Sequence, residues 1–402
     1  MRVAVVSGSR ADYGLLRPTI AALDRDPNFE PLLLVTAMHL QREYGLTVNE
    51  IEADGVAIAA RVPIGPEPLR SGDWARKIAE TTLALTDALA ECRPDVLLVL
   101  GDRFEALAAA LAATALQLPI AHIHGGELSE GSLDDATRHC ITKLAHLHFV
   151  ATREYGERVC QLGEEPHRVH VVGATGLESI RNLEPLERDE LARALEVESL
   201  ESPLVALTFH AASLEAERAG RQTQALVEAL DDVLGDGGTI VLTLPNDDPG
   251  SEKVRDELMR WSATRPQVHE FAALGQARYL NLLRHADLVV GNSSSALIEA
   301  PSFGVPVVDV GDRQRGRIAP DNVVRCAASR ADIAAALRCA LDPGFRASAA
   351  DVANPYGDGQ VSERIVAVLA AAPPTEELRS KHFFDLPDHR WRSGLRFGTE
   401  AT

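Results

Sequence analysis

The first half of the chain alternates short, uninterrupted apolar runs with longer stretches of helical spacing. We predict strands at residues 3–6, 32–36, 96–100, 120–123, 148–151 and 169–172. We predict helices between them at residues 74–90, 104–117 and 135–144. Unbroken apolar strands separated by helices are typical of a parallel sheet that is covered on both faces.

The same pattern restarts after residues 181–201, where charged and apolar positions alternate as in a connection between two halves. The predicted strands of the second half are residues 204–209, 239–244, 268–271, 288–290 and 305–308. The predicted helices are residues 214–234, 251–261, 276–285 and 296–303. We therefore predict an α/β protein of two Rossmann-like, doubly wound domains, residues 1–180 and 181–373, with a tail at residues 374–402.

Polar or glycine-rich clusters follow predicted strands in both halves. They lie at residues 7–14, 101–103, 124–127, 210, 245–248, 291–295 and 311–313. Doubly wound sheets bind their ligands outside the carboxyl ends of their strands. We therefore expect one active site in a cleft between the two domains.

Composition and charge narrow the classes of function. The 402 residues suit two domains, and the apolar content of 46% suffices for a sizeable core. The net charge of −19 excludes non-specific binding of nucleic acid, and an anionic ligand would need a local concentration of arginines. The five cysteines are far apart and include no CxxC pair, which favours a reduced chain over a zinc or disulfide framework.

The chain lacks the patterns of targeting and membrane segments. The start, MRVAVVSGSR, is typical of a strand followed by a polar loop rather than of a signal peptide. The charge-free run at residues 107–123 is interrupted by Gln117 and Pro119, which predicts a helix and a buried strand. We expect a cytoplasmic protein without a transmembrane segment.

The run GNSSS at residues 291–295 precedes a helix that is predicted from about Ala296. Backbone N–H groups and hydroxyls at a helix N-terminus bind anions, and three consecutive serines favour phosphate binding. The alternative is that the serines only cap the helix. Glu299 lies one turn further on, either as an acceptor for ribose hydroxyls or as a solvated acid of the first turn.

Arginines are concentrated in the segment DRQRGR, where Arg313, Arg315 and Arg317 fall within five residues. Arginine forks suit phosphate groups, whereas one or two of these three would otherwise lie in a solvated loop. Arg10 and Arg103 follow strands of the first half, and we interpret them as a second phosphate clamp.

Asp102, Glu127, Asp134 and Asp135 form an acidic set. Asp102 and Glu127 follow neighbouring strands, while Asp134 and Asp135 begin the next helix, where one of the two is expected to act as a cap. Paired carboxylates in a cleft supply general acid–base groups whose pKa values are separated by their environments.

His122 and His124 lie two residues apart on one strand face, and together with Glu127 they raise the alternative of a metal site. No third histidine is placed obviously nearby, and arginines and helix ends suffice to carry the charge of a nucleotide. We therefore predict neither a metal nor a cofactor.

Several long motifs, in this order, resemble those of one family. They are GSRADYG, GDRFEA, HIHGGE, DDATRHCITKLAHLHF, GNSSSALIEAPSFGVPVVDVGDRQRGR and NPYGDG. Over about residues 1–370 the chain resembles the hydrolysing UDP-N-acetylglucosamine 2-epimerases, which include relatives from the sialic-acid and legionaminic-acid pathways.

The resemblance implies a glycosyltransferase-B-like fold and a nucleotide-sugar substrate. Anti elimination of the nucleotide diphosphate across C1–C2 would give a glycal-type intermediate, to which water would add with the opposite configuration at C2. The products would be UDP and a free mannose-configured sugar, formed from UDP-N-acetylglucosamine or a 2,4-diacetamido-6-deoxy relative. The family tendency also implies a homodimer or homotetramer.

The resemblance also implies roles for individual residues. Asp102, Glu127 and Asp134 match the catalytic acids of the first domain, and His210 matches a histidine beside the diphosphate, with both catalytic and nucleotide contacts. The positions that match nucleotide contacts are Arg10, Arg103, Asn246, Ser293, Ser294, Glu299 and Arg313.

Three alternatives share much of this pattern. A non-hydrolysing 2-epimerase would keep the nucleotide attached, but the GGE and DDATRH motifs favour the hydrolysing type. A glycosyltransferase of the same fold would need an acceptor site. A catalytically inactive nucleotide-sugar sensor would be expected to lack one of the acidic positions, and all of them are present.

Overall fold

The computed structural model describes residues 1–42, 45–64, 73–130, 132–245 and 250–386 of the chain. The strands in these residues form two parallel sheets, one of seven strands and one of six, and helices lie between successive strands except the last two, which a loop connects. The predicted α/β class with two doubly wound layers is therefore confirmed. None of the helices in the described part of the chain has the length and apolar character that a membrane crossing requires.

The first sheet is doubly wound: the chain adds strands first on one side of its starting strand and then on the other. Its strands are β1 (Arg2–Ser7), β2 (Glu30–Thr36), β3 (Ile58–Val62), β4 (Val96–Leu100), β5 (Ile120–Ile123), β6 (Leu147–Val150) and β7 (Val169–Val171). Their order is β3-β2-β1-β4-β5-β6-β7, and all pairings are parallel. The direction of winding changes between β1 and β4, which is where such sheets bind ligands.

Helices cover both faces of this sheet. They are α1 (Arg10–Arg25), α2 (Val48–Ala53), α3 (Asp73–Cys92), α4 (Phe104–Ala115), α5 (Asp134–Leu144), α6 (Arg153–Gln161) and α7 (Gly176–Arg181). Val3 and Val5 of β1 join one buried apolar cluster, whereas Ala4 and Val6 join another. Successive strand side chains point to opposite faces, so each strand supplies both cores.

The second sheet repeats this architecture. Its strands are β8 (Leu204–Thr208), β9 (Thr239–Thr243), β10 (Val268–Phe271), β11 (Leu288–Gly291), β12 (Val307–Val310) and β13 (Val323–Cys326). Their order is β10-β9-β8-β11-β12-β13, again with parallel pairings, and the winding changes between β8 and β11. The helices from the connection onward are α8 (Arg188–Ala194), α9 (Ala219–Leu234), α10 (Ser251–Ser262), α11 (Gln276–His285), α12 (Ser294–Ile298), α13 (Arg330–Leu341), α14 (Pro343–Ala350), α15 (Val361–Ala370) and α16 (Thr375–Leu378).

Two of the differences between the predicted elements and the structure have a local physical cause. The edge strands β3 and β13 were not predicted, because they are only partly buried and lack an uninterrupted apolar run. The helix predicted at residues 296–303 ends early: α12 covers Ser294–Ile298 and a 3-10 turn covers Ala300–Phe303. Pro301 lacks the N–H that an α-helix needs at this point.

The chain returns to the first sheet near its C-terminal end. Val361, Ile365 and Leu369 of α15 belong to the same buried cluster as Val3 and Val5. The sequence prediction grouped this helix with residues 181–373, but its apolar face packs on the first layer. The predicted limits of the two domains otherwise stay a prediction.

After α15 the tail crosses the outer part of the first layer as far as residue 386. It is anchored by Glu164, whose buried carboxylate accepts hydrogen bonds from Lys143 at 2.6 Å and from Lys381 at 3.0 Å. Lys381 also donates to the carbonyl oxygens of Lys143 and Ala145 at the end of α5. The tail thus fixes the C-terminal end of α5, whose first turn lies near the strand ends.

We expect Glu164→Gln to lower the free energy of unfolding by about 2 kcal/mol. This is less than the ~3–5 kcal/mol for removing one partner of a fully buried pair, because the side chain of Lys143 is 44% exposed. Thermal unfolding of both proteins measures the difference. The control Glu157→Gln removes an exposed pair with Arg153 and should change stability by less than about 0.5 kcal/mol.

The effect of Glu164→Gln should also depend on pH. Burial alone raises the pKa of Glu164, but hydrogen bonds from His148 and Lys143 outweigh it and lower the pKa from 4.5 to about 2. The carboxylate therefore stabilises the fold fully above pH 4.5, and this contribution is lost as pH falls toward 2. A difference from wild type that does not shrink on acidification below pH 4.5 would contradict this assignment.

Candidate active site

The carboxyl ends of β4 and β5 present the predicted acids through tight turns. Gly101 and Gly126 have φ values of +71° and +78°, which glycine adopts without strain. A Cβ atom on Gly126 would lie 2.2 Å from the carbonyl oxygen of Tyr155. Position 126 therefore requires glycine, and the close approach turns the chain so that Glu127 enters the interior.

Glu127 is held between the two halves of the protein. Its Oε1 lies 2.5 Å from His124 Nδ1, and its Oε2 lies 3.0 Å from Nη2 of Arg317, which follows β12 in the second half. Burial alone raises the pKa of Glu127, but the charge of Arg317 and the hydrogen bond from His124 outweigh it and lower the pKa to about 2. Glu127 is thus a buried carboxylate that stays ionised at neutral pH.

The hydrogen bonds of His124 define which of its two ring nitrogens carries the proton. Its Nε2 accepts from the backbone N–H of Thr175 at 3.2 Å, so the proton is on Nδ1 and is donated to Glu127. His122 also has both nitrogens engaged, with Nε2 2.7 Å from the carbonyl oxygen of Gly101 and Nδ1 3.2 Å from Thr142 Oγ1. In the described residues, no group of three or more His, Cys, Asp or Glu side chains is arranged to hold a metal ion.

Arg138 of α5 organises the other acids. Its guanidinium is buried, and it contacts Asp102, donates to the carbonyl oxygen of Glu127 at 2.9 Å, and lies 3.3 Å from Asp135. Asp135 also accepts from the backbone N–H of Ser129 at 2.6 Å. Of the two acids that begin α5, Asp135 therefore fixes the preceding loop and does not occupy the N-cap position, which is Leu133.

Asp134 is the first residue of α5, and its carboxylate accepts from Ser132 Oγ at 2.8 Å. Its charge also acts on Arg103, which follows β4. Arg103 lies 3.0 Å from Glu105 and 3.6 Å from Asp12 in the first turn of α1. Burial raises the pKa of Asp12 to about 6, although Arg103 opposes the shift.

Arg10 begins α1, and its Nε lies 3.2 Å from Glu50. Nη2 of the same guanidinium reaches the second half of the chain, because a Cβ atom on Gly275 would lie 2.7 Å from it. Gly275 has a φ of +74° and directly precedes α11. Arg10 therefore lies where the first layer approaches the second, as the cleft hypothesis requires.

The serine run of the second half surrounds the start of α12. Ser293 is the N-cap residue but its side chain makes no capping hydrogen bond, and Ser294 is the first helical residue. Ser295 lies 2.8 Å from Tyr279 Oη and donates to Glu299. Capping therefore does not explain the hydroxyl of Ser293.

Glu299 is partly buried rather than fully solvated. Burial raises its pKa, and the hydrogen bond from Ser295 only partly opposes this shift. A Cβ atom on Gly176 would lie 2.5 Å from Glu299 Oε1, so this carboxylate reaches the first residue of α7. The alternative of a solvated first-turn acid is therefore wrong for Glu299.

His210 follows β8 and is fixed through its backbone. Its N–H donates to Asn292 Oδ1 at 2.8 Å, and Asn292 Nδ2 donates to its carbonyl oxygen at 2.9 Å. Burial and the nearby charge of Arg313 lower the pKa of His210 well below its ordinary value. Arg313 Nη1 donates to the carbonyl oxygen of Asn292 at 3.1 Å. His210 and Arg313 are thus held together by Asn292, while the predicted contact Asn246 lies outside the described residues.

The two sets of strand ends meet in one site. Arg317 joins Glu127 across the layers, and the backbone N–H of Ile318 donates to Tyr155 Oη at 3.1 Å. A family model for UDP-N-acetylglucosamine 2-epimerase matches residues 21–370. The chain belongs to the UDP-N-acetylglucosamine 2-epimerase family.

Curated relatives match most of the chain, and solved structures share its fold. The chain is 35% identical over 381 residues to the UDP-N,N'-diacetylbacillosamine 2-epimerase (hydrolyzing) of Legionella pneumophila, which covers 94% of this chain and 98% of that protein. It is 32% identical over 324 residues to the GDP/UDP-N,N'-diacetylbacillosamine 2-epimerase (hydrolyzing) of Campylobacter jejuni, covering 80% and 83%.

The structure of UDP-GlcNAc 2-epimerase from Neisseria meningitidis bound to UDP-GlcNAc matches with a TM-score of 0.81 and 20% identity, covering 92% of this chain and 100% of that one. The predicted family and the glycosyltransferase-B-like fold are therefore confirmed.

Sequence reasoning missed several side chains that this epimerase-family site depends on. Arg138 lies within the DDATRH motif, four residues after Asp134, and helical spacing alone would have placed both on one face. Asp12 lies within GSRADYG and Asn292 within GNSSS. No spacing rule shows from the sequence that Asp12 pairs with Arg103, or that Asn292 binds the backbone of His210, rather than being an ordinary turn residue. Arg317 was considered only as one of three phosphate ligands.

We expect Asn292→Ala to lower the free energy of unfolding by about 2–6 kcal/mol. It would leave both main-chain groups of His210 unpaired, at about 1–3 kcal/mol for each buried group. Thermal unfolding provides the measurement, with Asn182→Ala as a control on an exposed residue that ends α7. An unchanged midpoint for Asn292→Ala would show that these two hydrogen bonds do not hold His210.

Proposed function

We propose that this chain is a hydrolysing nucleotide-sugar 2-epimerase that releases UDP and a free mannose-configured 2-acetamido sugar. The observation that carries the proposal is the enclosed, ionised Glu127 between Arg317 and His124, next to Asp102 held by Arg138, in a member of this family. The substrate is UDP-N-acetylglucosamine or its 2,4-diacetamido-6-deoxy relative, as in the names of the relatives from Legionella and Campylobacter.

The reaction proceeds in two steps. In the first, a carboxylate removes the proton from C2, the electron pair of that bond forms C1=C2, and the C1–O bond breaks with its electrons passing to the diphosphate. In the second, water adds its oxygen to C1 and a proton reaches C2 from the opposite face. The C2 proton is weakly acidic, so the departing diphosphate must leave early and C1 becomes positively charged.

The two sides of the cleft have separate tasks in this reaction. Arg313 and His210 face the diphosphate, where cationic and N–H donors stabilise the charge of the leaving group. Glu127, which stays ionised, faces the sugar and stabilises the positive charge at C1. Asp102 and Asp134 then remain for proton transfer at C2 and for activation of water.

The nucleotide is bound by groups on both layers. Ser293 and Ser294 offer hydroxyls at the start of α12, and the partly buried Glu299 accepts the ribose hydroxyls. Arg10 and Arg103 approach from the first layer. The five free cysteines support a reducing cytoplasm, and the family resemblance supports a homodimer or homotetramer, whose mass in solution would test it.

Proton NMR in deuterated water provides the test of the reaction, with UDP-N-acetylglucosamine and UDP-2,4-diacetamido-2,4,6-trideoxyglucose assayed in parallel. We expect one of them to give UDP and a free mannose-configured sugar that carries deuterium at C2. A mannose-configured product still linked to UDP would instead identify a non-hydrolysing epimerase. Unchanged spectra with both sugars would contradict the proposed substrate class.

Substitution of the acids should separate catalysis from nucleotide binding. We expect Asp102→Asn, Glu127→Gln and Asp134→Asn each to lower kcat about 100-fold or more, with UDP affinity changed by less than about threefold. This is the usual size of a lost acid–base group for the two aspartates and of a lost charge-stabilising group for Glu127. Arg313→Ala should weaken UDP binding about tenfold or more, because it removes a charged donor.

Calorimetric titration with UDP and steady-state kinetics give these values. Glu130→Gln is the matched control, since Glu130 follows Glu127 closely but its side chain is 43% exposed. Wild-type kcat in all three acid variants would rule out the proposed catalytic set.

A further inference from the structure

Residues 311–318, here called the crossing loop, follow β12 and include Arg317, which pairs with Glu127. Gly311 and Gly316 have φ values of +80° and +89°, which allow it to turn twice. A Cβ atom on Gly316 would lie 2.7 Å from Leu128 Cβ, so the loop packs against the segment that follows Glu127. One short loop thus touches both sides of the cleft.

On the nucleotide side, the crossing loop is attached to Asn292. Arg313 Nη1 and Gln314 Nε2 donate to its carbonyl oxygen at 3.1 Å and 2.9 Å. The side chain of Asn292 in turn holds the backbone of His210. The loop is therefore part of the region that we assign to the diphosphate.

On the other side, Arg317 inserts between the layers. Its side chain is only 9% exposed, and within the described part of the chain Nη2 alone has a partner, Glu127 Oε2 at 3.0 Å. Nε and Nη1 are buried and have no hydrogen-bond partner among the described residues. Unpaired buried donors are costly, so these two nitrogens indicate an acceptor on a bound molecule.

The surrounding charge indicates the kind of acceptor. Glu127 already pairs with Arg317, and the charge of Asp102 also acts on it. Its positive charge is therefore compensated within the site. Donors of a compensated guanidinium suit a neutral oxygen, such as a hydroxyl or an acetamido carbonyl, better than they suit a second anion.

We propose that Arg317 binds the sugar of the substrate: Nε and Nη1 donate to a neutral sugar oxygen while Nη2 positions Glu127. This inference rests on the proposed function and adds a residue to it. Because Arg317 and Arg313 belong to the same loop, the crossing loop aligns the sugar-facing carboxylate with the nucleotide.

Two substitutions of Arg317 and one control test the assignment. Arg317→Met removes the charge and the donors, whereas Arg317→Lys keeps the charge but not the planar fork. The control Arg315→Met lies on the same loop, where its side chain is 59% exposed and pairs with Glu130. Such an exposed pair contributes little, so kcat/KM of the control should change by less than about threefold.

We expect Arg317→Met to lower kcat/KM for the UDP-sugar about 100-fold, the size of lost hydrogen bonds to a charged group, with UDP affinity within about twofold of wild type. Arg317→Lys should give an intermediate loss. The acid limb of the kcat profile should move to higher pH in Arg317→Met, because Glu127 loses the cation that keeps it ionised. A merely structural role would leave that limb in place.

The other possible outcomes would contradict either the role of Arg317 or the proposed function. Normal kcat/KM in Arg317→Met would rule out the inference, and a parallel loss of UDP affinity would show that the donors serve the diphosphate instead. If circular dichroism shows that Arg317→Met is unfolded, the same measurements on Arg317→Lys decide, and wild-type kcat/KM there rules out a need for the fork. Wild-type protein that releases no UDP from either sugar would instead contradict the proposed function.

Discussion

The ion pair between Glu127 and Arg317 is the constraint on which the site depends. A carboxylate without a partner in this position would cost several kcal/mol or take up a proton. The first layer supplies the acid and the second supplies the cation. The site therefore exists in its ionised form only when the two layers meet, and the chemistry is tied to their approach.

Around this pair, an acidic chain has concentrated its positive charge where it is needed. The net charge is −19, yet Arg138, Arg313 and Arg317 all lie within the site. Each of them donates to a carbonyl oxygen or contacts a carboxylate, so their directions are fixed before a ligand arrives. Such fixed donors need no reorganisation during the reaction, which is the source of most electrostatic catalysis.

Much of the fold could be predicted from the sequence, because parallel strands buried on both faces are unbroken apolar runs. The strands β4, β5 and β10 were predicted with the bounds that the structure has. The edge strands β3 and β13 could not, since they are only partly buried and lack an uninterrupted apolar run. The position of α15 on the first sheet could not either, because its apolar spacing is the same whichever layer it covers.

The site was predictable to the extent that it follows strand ends. Asp102, Glu127 and His210 could be placed at the cleft from topology alone. The partner of each could not, because contacts such as Arg317 with Glu127 join residues far apart in the chain. Charge pairing of this kind depends on how the two layers face each other, which no local pattern encodes.

The return of the chain to the first layer has a mechanical consequence. The two halves are joined by two crossings, one near Gly173 and one near Tyr356, and these run side by side: Ala174 N–H donates to the carbonyl oxygen of Tyr356 at 2.8 Å. This main-chain hydrogen bond ties the two connections to each other, so both restrain how the first layer lies against the second and hence how Arg317 meets Glu127.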